Sequence, residues 1–67
     1  MKITVNNQEK IISEKCTLLH LLNEIIPEKQ NGIAVAVNSC VIAKTQWEHH
    51  VLNQNDDVLI IKATQGG

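Results

Sequence analysis

The sequence ends on A-T-Q-G-G, and its last two residues, Gly66 and Gly67, have no side chain that could pack, cap or pair. A terminal carboxyl group has a pKa near roughly 3.5, so at neutral pH it is an anion that can attack the α-phosphate of a nucleotide. The acyl-adenylate formed by such an attack is an electrophile, which a sulfur or amine nucleophile can open. We therefore predict that the carboxylate of Gly67 is the group that reacts.

A partner enzyme would have to bring this carboxylate into a closed active site, and an end without bulky side chains suits that passage. Glycine has no Cβ that could clash in a narrow tunnel, and it reaches φ values closed to other residues. Five residues extended at roughly 3.3 Å each reach about 17 Å. We therefore expect residues 64–67 to form a flexible tail, with Gln65 and Gly66 in the passage. The alternative is a frayed end or the remnant of a tag, since disorder concentrates at termini.

Five other residues are of types that act as nucleophiles or metal ligands: Cys16, Cys40, His20, His49 and His50. No C-x-x-C or H-x-x-x-H spacing connects them, and neighbouring residues point apart on both helix and strand, so we predict no metal site. The histidines are expected at the surface. Because the sequence shows no secretory signal, we expect the two cysteines to be small buried hydrophobes and not a disulfide.

The composition predicts a single domain, residues 1–67, because a chain of this length buries only roughly 60% of its unfolded surface. Six Lys, no Arg and seven acidic residues give a formal charge of −1, which argues against nucleic acid as a partner. No apolar stretch approaches the roughly 20 residues that span a membrane, and the start of the chain does not resemble a signal peptide. We predict a cytoplasmic protein, or a plastid one if the source is a photosynthetic eukaryote.

The first half of the sequence predicts a hairpin and a helix. In M-K-I-T-V-N, apolar and polar residues alternate as in a half-buried strand, and Asn6-Asn7 suits a tight turn because asparagine tolerates positive φ. E-K-I-I-S forms the second strand. Thr17 can cap a helix that ends near Pro27. The apolar residues of this helix recur at i, i+3, i+4 and i+7 and form its core side: Leu18, Leu21, Leu22 and Ile25.

The second half predicts three strands. In I-A-V-A-V-N, bulky branched residues alternate with Ala34 and Ala36, so one face is flat and lets another molecule approach closely. V-I-A-K is a short strand, T-Q-W-E-H-H a turn or single helical turn, and N-Q-N-D-D a polar loop before the last strand, V-L-I-I-K-A-T. Trp47 is expected to anchor the core, with contact to a partner as the alternative. The face formed by Val58 and Ile60 is expected to dock a partner, because no second helix is available to cover it.

The element order β-β-α-β-β-β predicts an α+β fold in which a mixed sheet of four to five strands wraps around one main helix. A right-handed crossover would place the first and last strands side by side and parallel at the centre of the sheet. This arrangement is the β-grasp fold of ubiquitin-like proteins, and an end on two glycines fits it.

Six stretches of the sequence together resemble one known family. They are M-K-I-T-V-N-N, T-L-L-H-L-L, V-A-V-N, the pair Gln46-Trp47, N-D-D-V-L-I-I and the final Gly66-Gly67. In length and order they are similar to the ThiS family, the sulfur carriers of thiamine biosynthesis. Where that family often has Gly-Asp before the last strand, this chain has Asn55-Asp56, and asparagine can still take the positive φ.

The resemblance implies that partner enzymes perform the chemistry. A ThiF-type adenylating enzyme would activate the Gly67 carboxylate with Mg-ATP, and sulfur from the cysteine persulfide of a relay enzyme would displace AMP. The resulting thiocarboxylate would pass its sulfur to a ThiG-type thiazole synthase. The carrier itself would be a co-substrate and not an enzyme, with no catalytic residue, bound cofactor or metal.

Two other functions remain open from the sequence. The small subunit of molybdopterin synthase shares the fold and the thiocarboxylate chemistry, but such proteins tend to be longer and to contain Phe, and this chain has none. The second alternative is a ubiquitin-like module that tags lysines through its terminal glycine or serves only for interaction. The acceptor that takes the sulfur would separate thiamine from molybdopterin biosynthesis.

Overall fold

The computed structural model describes residues 1–26 and 32–62 of the chain. These residues form five strands and one α-helix, with a single 3₁₀ turn, Lys44–Gln46, before the last strand. The predicted order of elements is confirmed, although the fourth strand consists of C-V-I and not V-I-A-K. The elements are β1 (Lys2–Val5), β2 (Gln8–Ile11), α1 (Leu18–Ile25), β3 (Ile33–Val37), β4 (Cys40–Ile42) and β5 (Asp57–Lys62).

The first two strands form the predicted hairpin. They pair antiparallel, and the connection consists of Asn6 and Asn7, with φ values of 50° and 67°. A two-residue turn with positive φ at both positions matches the right-handed twist of the strands, and asparagine adopts that region more readily than most residues. Two adjacent asparagines therefore fix the hairpin locally.

The five strands form one mixed sheet in the order β2-β1-β5-β3-β4. Strands β1 and β5 are parallel neighbours, whereas the other pairs are antiparallel. The prediction that the first and last strands lie side by side at the centre is thus confirmed. Since β5 is a central strand, the chain beyond Lys62 starts from the middle of the sheet.

Helix α1 covers one face of the sheet. The Thr17 hydroxyl accepts a hydrogen bond from the backbone N–H of His20 at 3.1 Å, so this residue is the predicted N-cap. Leu18, Leu21 and Leu22 are completely buried, as expected for the core side. The helix ends at Ile25, and Pro27, which was predicted to end it, lies outside the described residues. Across the part of the chain with described structure, no helix has the length and apolarity that a membrane span requires.

Trp47 fills the core beside the helix. Its side chain is 2% exposed, and its indole N–H donates a hydrogen bond to the carbonyl of Ile42 at 2.9 Å. Burial of the whole ring with its one donor satisfied confirms the prediction of a core anchor. The alternative, in which Trp47 contacts a partner, is wrong because no useful area of the indole reaches the surface.

The loop before β5 contains the expected left-handed residue. Asn55 has a φ of 70° and donates its backbone N–H to the carbonyl of Lys2 at 2.8 Å. The loop is thereby attached to the beginning of β1, and β5 starts two residues later in register with that strand.

Candidate functional site

The predicted reactive end of the chain lies outside the described residues, which stop at Lys62. Gly67, Gly66 and Gln65 therefore stay predictions as site residues. Strand β5 is the described element that precedes them, and its two faces differ in which side chains they expose.

The inner face of β5 packs against α1. Val58 is completely buried and Ile60 is half-buried among the core residues. The prediction of an exposed docking face is therefore wrong for Val58, whereas Ile60 keeps part of its side chain accessible. Successive side chains of a strand point to opposite faces, and the single helix lies on the side of Val58.

The outer face of β5 is the exposed one. Leu59 is 45% and Ile61 53% exposed, and both stand on the side of the sheet away from the helix. The sequence did not identify these residues as exposed, because V-L-I-I is apolar on both faces and alternation alone does not distinguish the inner face. The polar residues at the two ends of the strand, Asp57 and Lys62, do not identify it either, because they lie on opposite faces.

These two side chains belong to a larger apolar surface, which we call the outer patch: Ala34, Ala36, Val41, Leu59 and Ile61. Leu59 pairs with Ala36, which in turn pairs with Val41, and Ile61 pairs with Ala34. Val41 is 73% exposed. The small alanines of β3 thus lie between the larger side chains of the two neighbouring strands, β4 and β5. The surface above the alanines is shallow and open. A contiguous exposed apolar surface of this kind is typical of an interaction site.

The rest of the outer sheet face is polar except for Ile11, which pairs with Lys2 on the edge strand β2. Lys2 pairs with Glu9 at 3.4 Å between Nζ and Oε2, and the Thr4 hydroxyl donates to Asp57 Oδ1 at 3.0 Å. The ion pair is exposed, so it contributes little to stability, but it makes the β1–β2 half of the face hydrophilic. The apolar half of the face is therefore the one next to the end of β5.

The two cysteines differ in environment. Both are free thiols; Cys16 is buried, whereas Cys40 is exposed at the start of the edge strand β4. The expectation that both are buried is wrong for Cys40, because the edge strand leaves that end of the sheet uncovered. Burial raises the pKa of the Cys16 thiol above its ordinary value, and the negative charge of Glu24 adds to the effect. Cys16 is thus a poor nucleophile.

The three histidines lie at or near the surface, and His20 lines the same shallow pocket as Cys16. His20 and His49 are exposed and His50 is half-buried, so the surface prediction holds for the first two. His49 Nε2 lies 3.3 Å from Glu48 Oε1. In residues 1–26 and 32–62, no three His, Cys, Asp or Glu side chains come together in a group that could hold a metal ion.

A mixed five-stranded sheet around one helix, with parallel first and last strands at its centre, defines a ubiquitin-like protein of the β-grasp fold. The crystal structure of thiamine biosynthesis protein ThiS from Geobacter metallireducens has this fold, with a TM-score of 0.86, 20% identity and complete coverage of both chains. The sulfur carrier protein ThiS of Escherichia coli strain K12 is 30% identical over 67 residues, which are the whole of both chains. The ThiS family profile matches residues 1–67. The chain belongs to the ThiS family.

Proposed function

We propose that this chain is a sulfur carrier in thiamine biosynthesis and that its sulfur is carried as a thiocarboxylate on Gly67. The observation that supports this most directly is the end-to-end alignment with the Escherichia coli sulfur carrier protein, at 30% identity over 67 residues. The pair Gly66-Gly67 follows the central strand β5, with three residues between it and Lys62. The family match over residues 1–67 supports the same function.

The chemistry takes place on the terminal carboxylate. One of its oxygens attacks the α-phosphate of Mg-ATP held by a ThiF-type adenylating enzyme, and pyrophosphate leaves. A persulfide on a relay cysteine then attacks the acyl carbon and displaces AMP, which gives an acyl disulfide. A second thiol cleaves its S–S bond, so that the thiocarboxylate stays on Gly67 and the relay enzyme retains a disulfide. A ThiG-type thiazole synthase accepts the sulfur.

The carrier contributes position and not catalysis. Five residues follow Lys62, and an extended segment of that length reaches about 17 Å. An enzyme that holds Gly67 in its active site therefore approaches the sheet near the end of β5. Leu59 and Ile61, the exposed residues of that strand, are the apolar surface it meets there, and we propose the outer patch as its docking surface. We propose that this chemistry takes place in the cytoplasm, or in the plastid if the source is a photosynthetic eukaryote.

The decisive experiment is the conversion of the carrier itself. The chain is incubated with the adenylating enzyme, Mg-ATP and a persulfide donor, and intact mass spectrometry should detect one oxygen-for-sulfur exchange. Deletion of Gly67 should abolish the exchange and leave the far-UV circular dichroism and melting temperature unchanged. Absence of the exchange with an enzyme shown to be active on another carrier would refute the function.

The acceptor separates the remaining possibilities. Transfer of the sulfur to thiazole synthase supports thiamine biosynthesis, and transfer only to the large subunit of molybdopterin synthase contradicts it. A mass increase on lysine-containing proteins, equal to the carrier less one water, would instead identify a protein-tagging module.

A further inference from the structure

The backbone groups of β5 face two different neighbours. Asn38 donates its N–H to the carbonyl of Asp57 at 2.8 Å, and the β3–β5 ladder continues through Leu59 and Ile61 at every second residue. The intervening residues, Val58, Ile60 and Lys62, therefore direct their N–H and C=O groups to the opposite side, towards β1.

Strand β1 is too short to satisfy all of these groups. It ends at Val5, and the chain turns away at Asn6. The backbone N–H of Asn6 donates to the carbonyl of Val58 at 2.9 Å, and its side-chain Oδ1 accepts the N–H of Ile60 at 2.8 Å. The asparagine side chain thus provides the last bond of the parallel ladder.

Two backbone groups of β5 lie beyond that bond. The carbonyl of Ile60 and the N–H of Lys62 have no hydrogen-bond partner within residues 1–26 and 32–62. On its other side, β5 stays paired with β3 as far as Lys62, opposite Ile33. The end of this central strand is therefore an edge on one side only, and unpaired backbone groups at an edge readily accept a further strand.

A groove of about 580 Å³ borders the same edge. It lies between the β1–β2 turn, the end of α1 and the end of β5. The residues that line it include Asn6, Gln8, Ile25, Ile26, Ile60 and Lys62. The isoleucines are half-buried, so the groove offers an apolar surface next to the carbonyl of Ile60 and the N–H of Lys62.

We propose that the adenylating enzyme inserts an extended segment at this edge, where the segment accepts the N–H of Lys62 and donates to the carbonyl of Ile60. One apolar side chain of the segment enters the groove and packs on Ile25, Ile26 and Ile60. Strand addition uses main-chain bonds for affinity and a side-chain pocket for selectivity, and both are present here. This inference rests on the proposed function, since the enzyme that binds Gly67 is the partner that approaches the last five residues.

The position of the edge explains what the added segment does. Lys62 directly precedes the five residues that enter the enzyme. Two bonds at Ile60 and Lys62 hold the end of β5 in one direction, and the tail that follows then starts towards the active site from a fixed point. The outer patch contacts the enzyme on one face of the strand, and the added segment holds its edge.

Amide hydrogen exchange tests the bond directly. In the free ¹⁵N-labelled carrier, the Lys62 amide should exchange fast, and in the complex with the adenylating enzyme its rate should fall at least about tenfold. The Ile61 amide, which faces Ala34 in the β3–β5 ladder, is the internal reference and should exchange slowly in both states. An unchanged Lys62 rate in a saturated complex would overturn the inference.

A matched pair of variants gives the second test. Lys62→Pro removes the N–H, whereas Lys62→Ala removes the side chain and keeps the N–H. Proline is tolerated where a strand N–H does not face its neighbour, so both variants should melt like the wild type. Binding of the enzyme should weaken at least about tenfold for Lys62→Pro relative to Lys62→Ala. Equal dissociation constants for the two variants contradict the inference.

Pyrophosphate release, which measures adenylation of Lys62→Ala, distinguishes failure of the strand addition from failure of the proposed carrier function. If this variant is adenylated normally but binds no more tightly than Lys62→Pro, strand addition fails while the carrier function stands. If neither this variant nor the wild type is adenylated, the proposed function fails, and the inference fails with it.

Discussion

Asn38, in the turn between β3 and β4, donates its side-chain amide to Oδ1 of the buried Asp56 at 2.9 Å. Its own Oδ1 accepts the backbone N–H of Asp57 at 2.9 Å, and Asp56 Oδ2 accepts the N–H of Asn53 at 2.8 Å. These bonds attach the turn to the loop that precedes β5. The start of the strand that leads to Gly67 is therefore held by side chains and not by strand pairing alone.

The first prediction concerns this contact. Asn38→Ala should lower the free energy of unfolding by about 2–4 kcal/mol, since a buried carboxylate loses a partner and alanine must adopt a φ of 52°. Asn38→Gly accepts that φ without strain and should recover about 1 kcal/mol of the loss. Urea denaturation of the three proteins measures both effects. A glycine variant as stable as the wild type would show that the Asp56 contact contributes nothing.

The second prediction concerns Trp47. Trp47→Phe removes the donor that bonds to the carbonyl of Ile42 and leaves part of the indole site empty. The free energy of unfolding should therefore fall by about 1–3 kcal/mol. Trp47→Ala should cost about 3–5 kcal/mol, which is a large part of the 5–15 kcal/mol typical of a whole domain. Far-UV circular dichroism with urea denaturation checks both values. A phenylalanine variant that is less stable than the alanine variant would contradict this account of the site.

The third prediction concerns thiol reactivity. With the native protein at neutral pH, iodoacetamide should modify Cys40, which is exposed, and leave Cys16, which is buried, until urea unfolds the chain. Peptide mapping by mass spectrometry after short reaction times distinguishes the two residues. Equal modification of both in the folded protein would mean that the core opens readily at Cys16.

The fourth prediction follows from the raised pKa of Cys16. As the pH rises, the unfolded chain releases this thiol proton before the folded one does. The stabilisation is therefore complete below the unfolded pKa of about 8.5 and is lost as the pH rises through the higher folded-state pKa. Urea midpoints between about pH 7 and pH 10 should fall more steeply for the wild type than for Cys16→Ala. Cys40→Ser is the control and should retain the wild-type slope.

The fifth prediction tests the outer patch and rests on the proposed function. Ile61→Asp should weaken binding of the adenylating enzyme at least about tenfold, because a charge would be buried in an apolar contact. Ile11→Asp is the matched control: Ile11 is 74% exposed, compared with 53% for Ile61, and lies on the edge strand β2. The two substitutions should have similar small effects on stability, about 1 kcal/mol or less. Similar losses of binding would exclude a specific role for the patch.

Local features of the sequence were sufficient for the first hairpin turn and the start of the helix, but not for the exact bounds of β4. Asn6 and Asn7 accept positive φ, and Thr17 offers a hydroxyl at the first free N–H groups of α1, so the hairpin and the helix start depend on neighbouring residues alone. The element order, with one helix between a hairpin and three strands, determined the β-grasp topology, because few arrangements bury one helix against one sheet.

What the tertiary structure decided is which side of each strand faces water. In β5, four consecutive apolar residues are compatible with either face, and only the position of α1 places Val58 inside and Leu59 outside. The exposure of Cys40 depends likewise on the place of β4 at the sheet edge. Within the described residues, the point at which the pairing of β5 with β1 stops depends on where this distant strand turns away. Local propensity acts within a few residues, whereas burial and pairing depend on partners that are far apart in sequence and meet only in the folded chain.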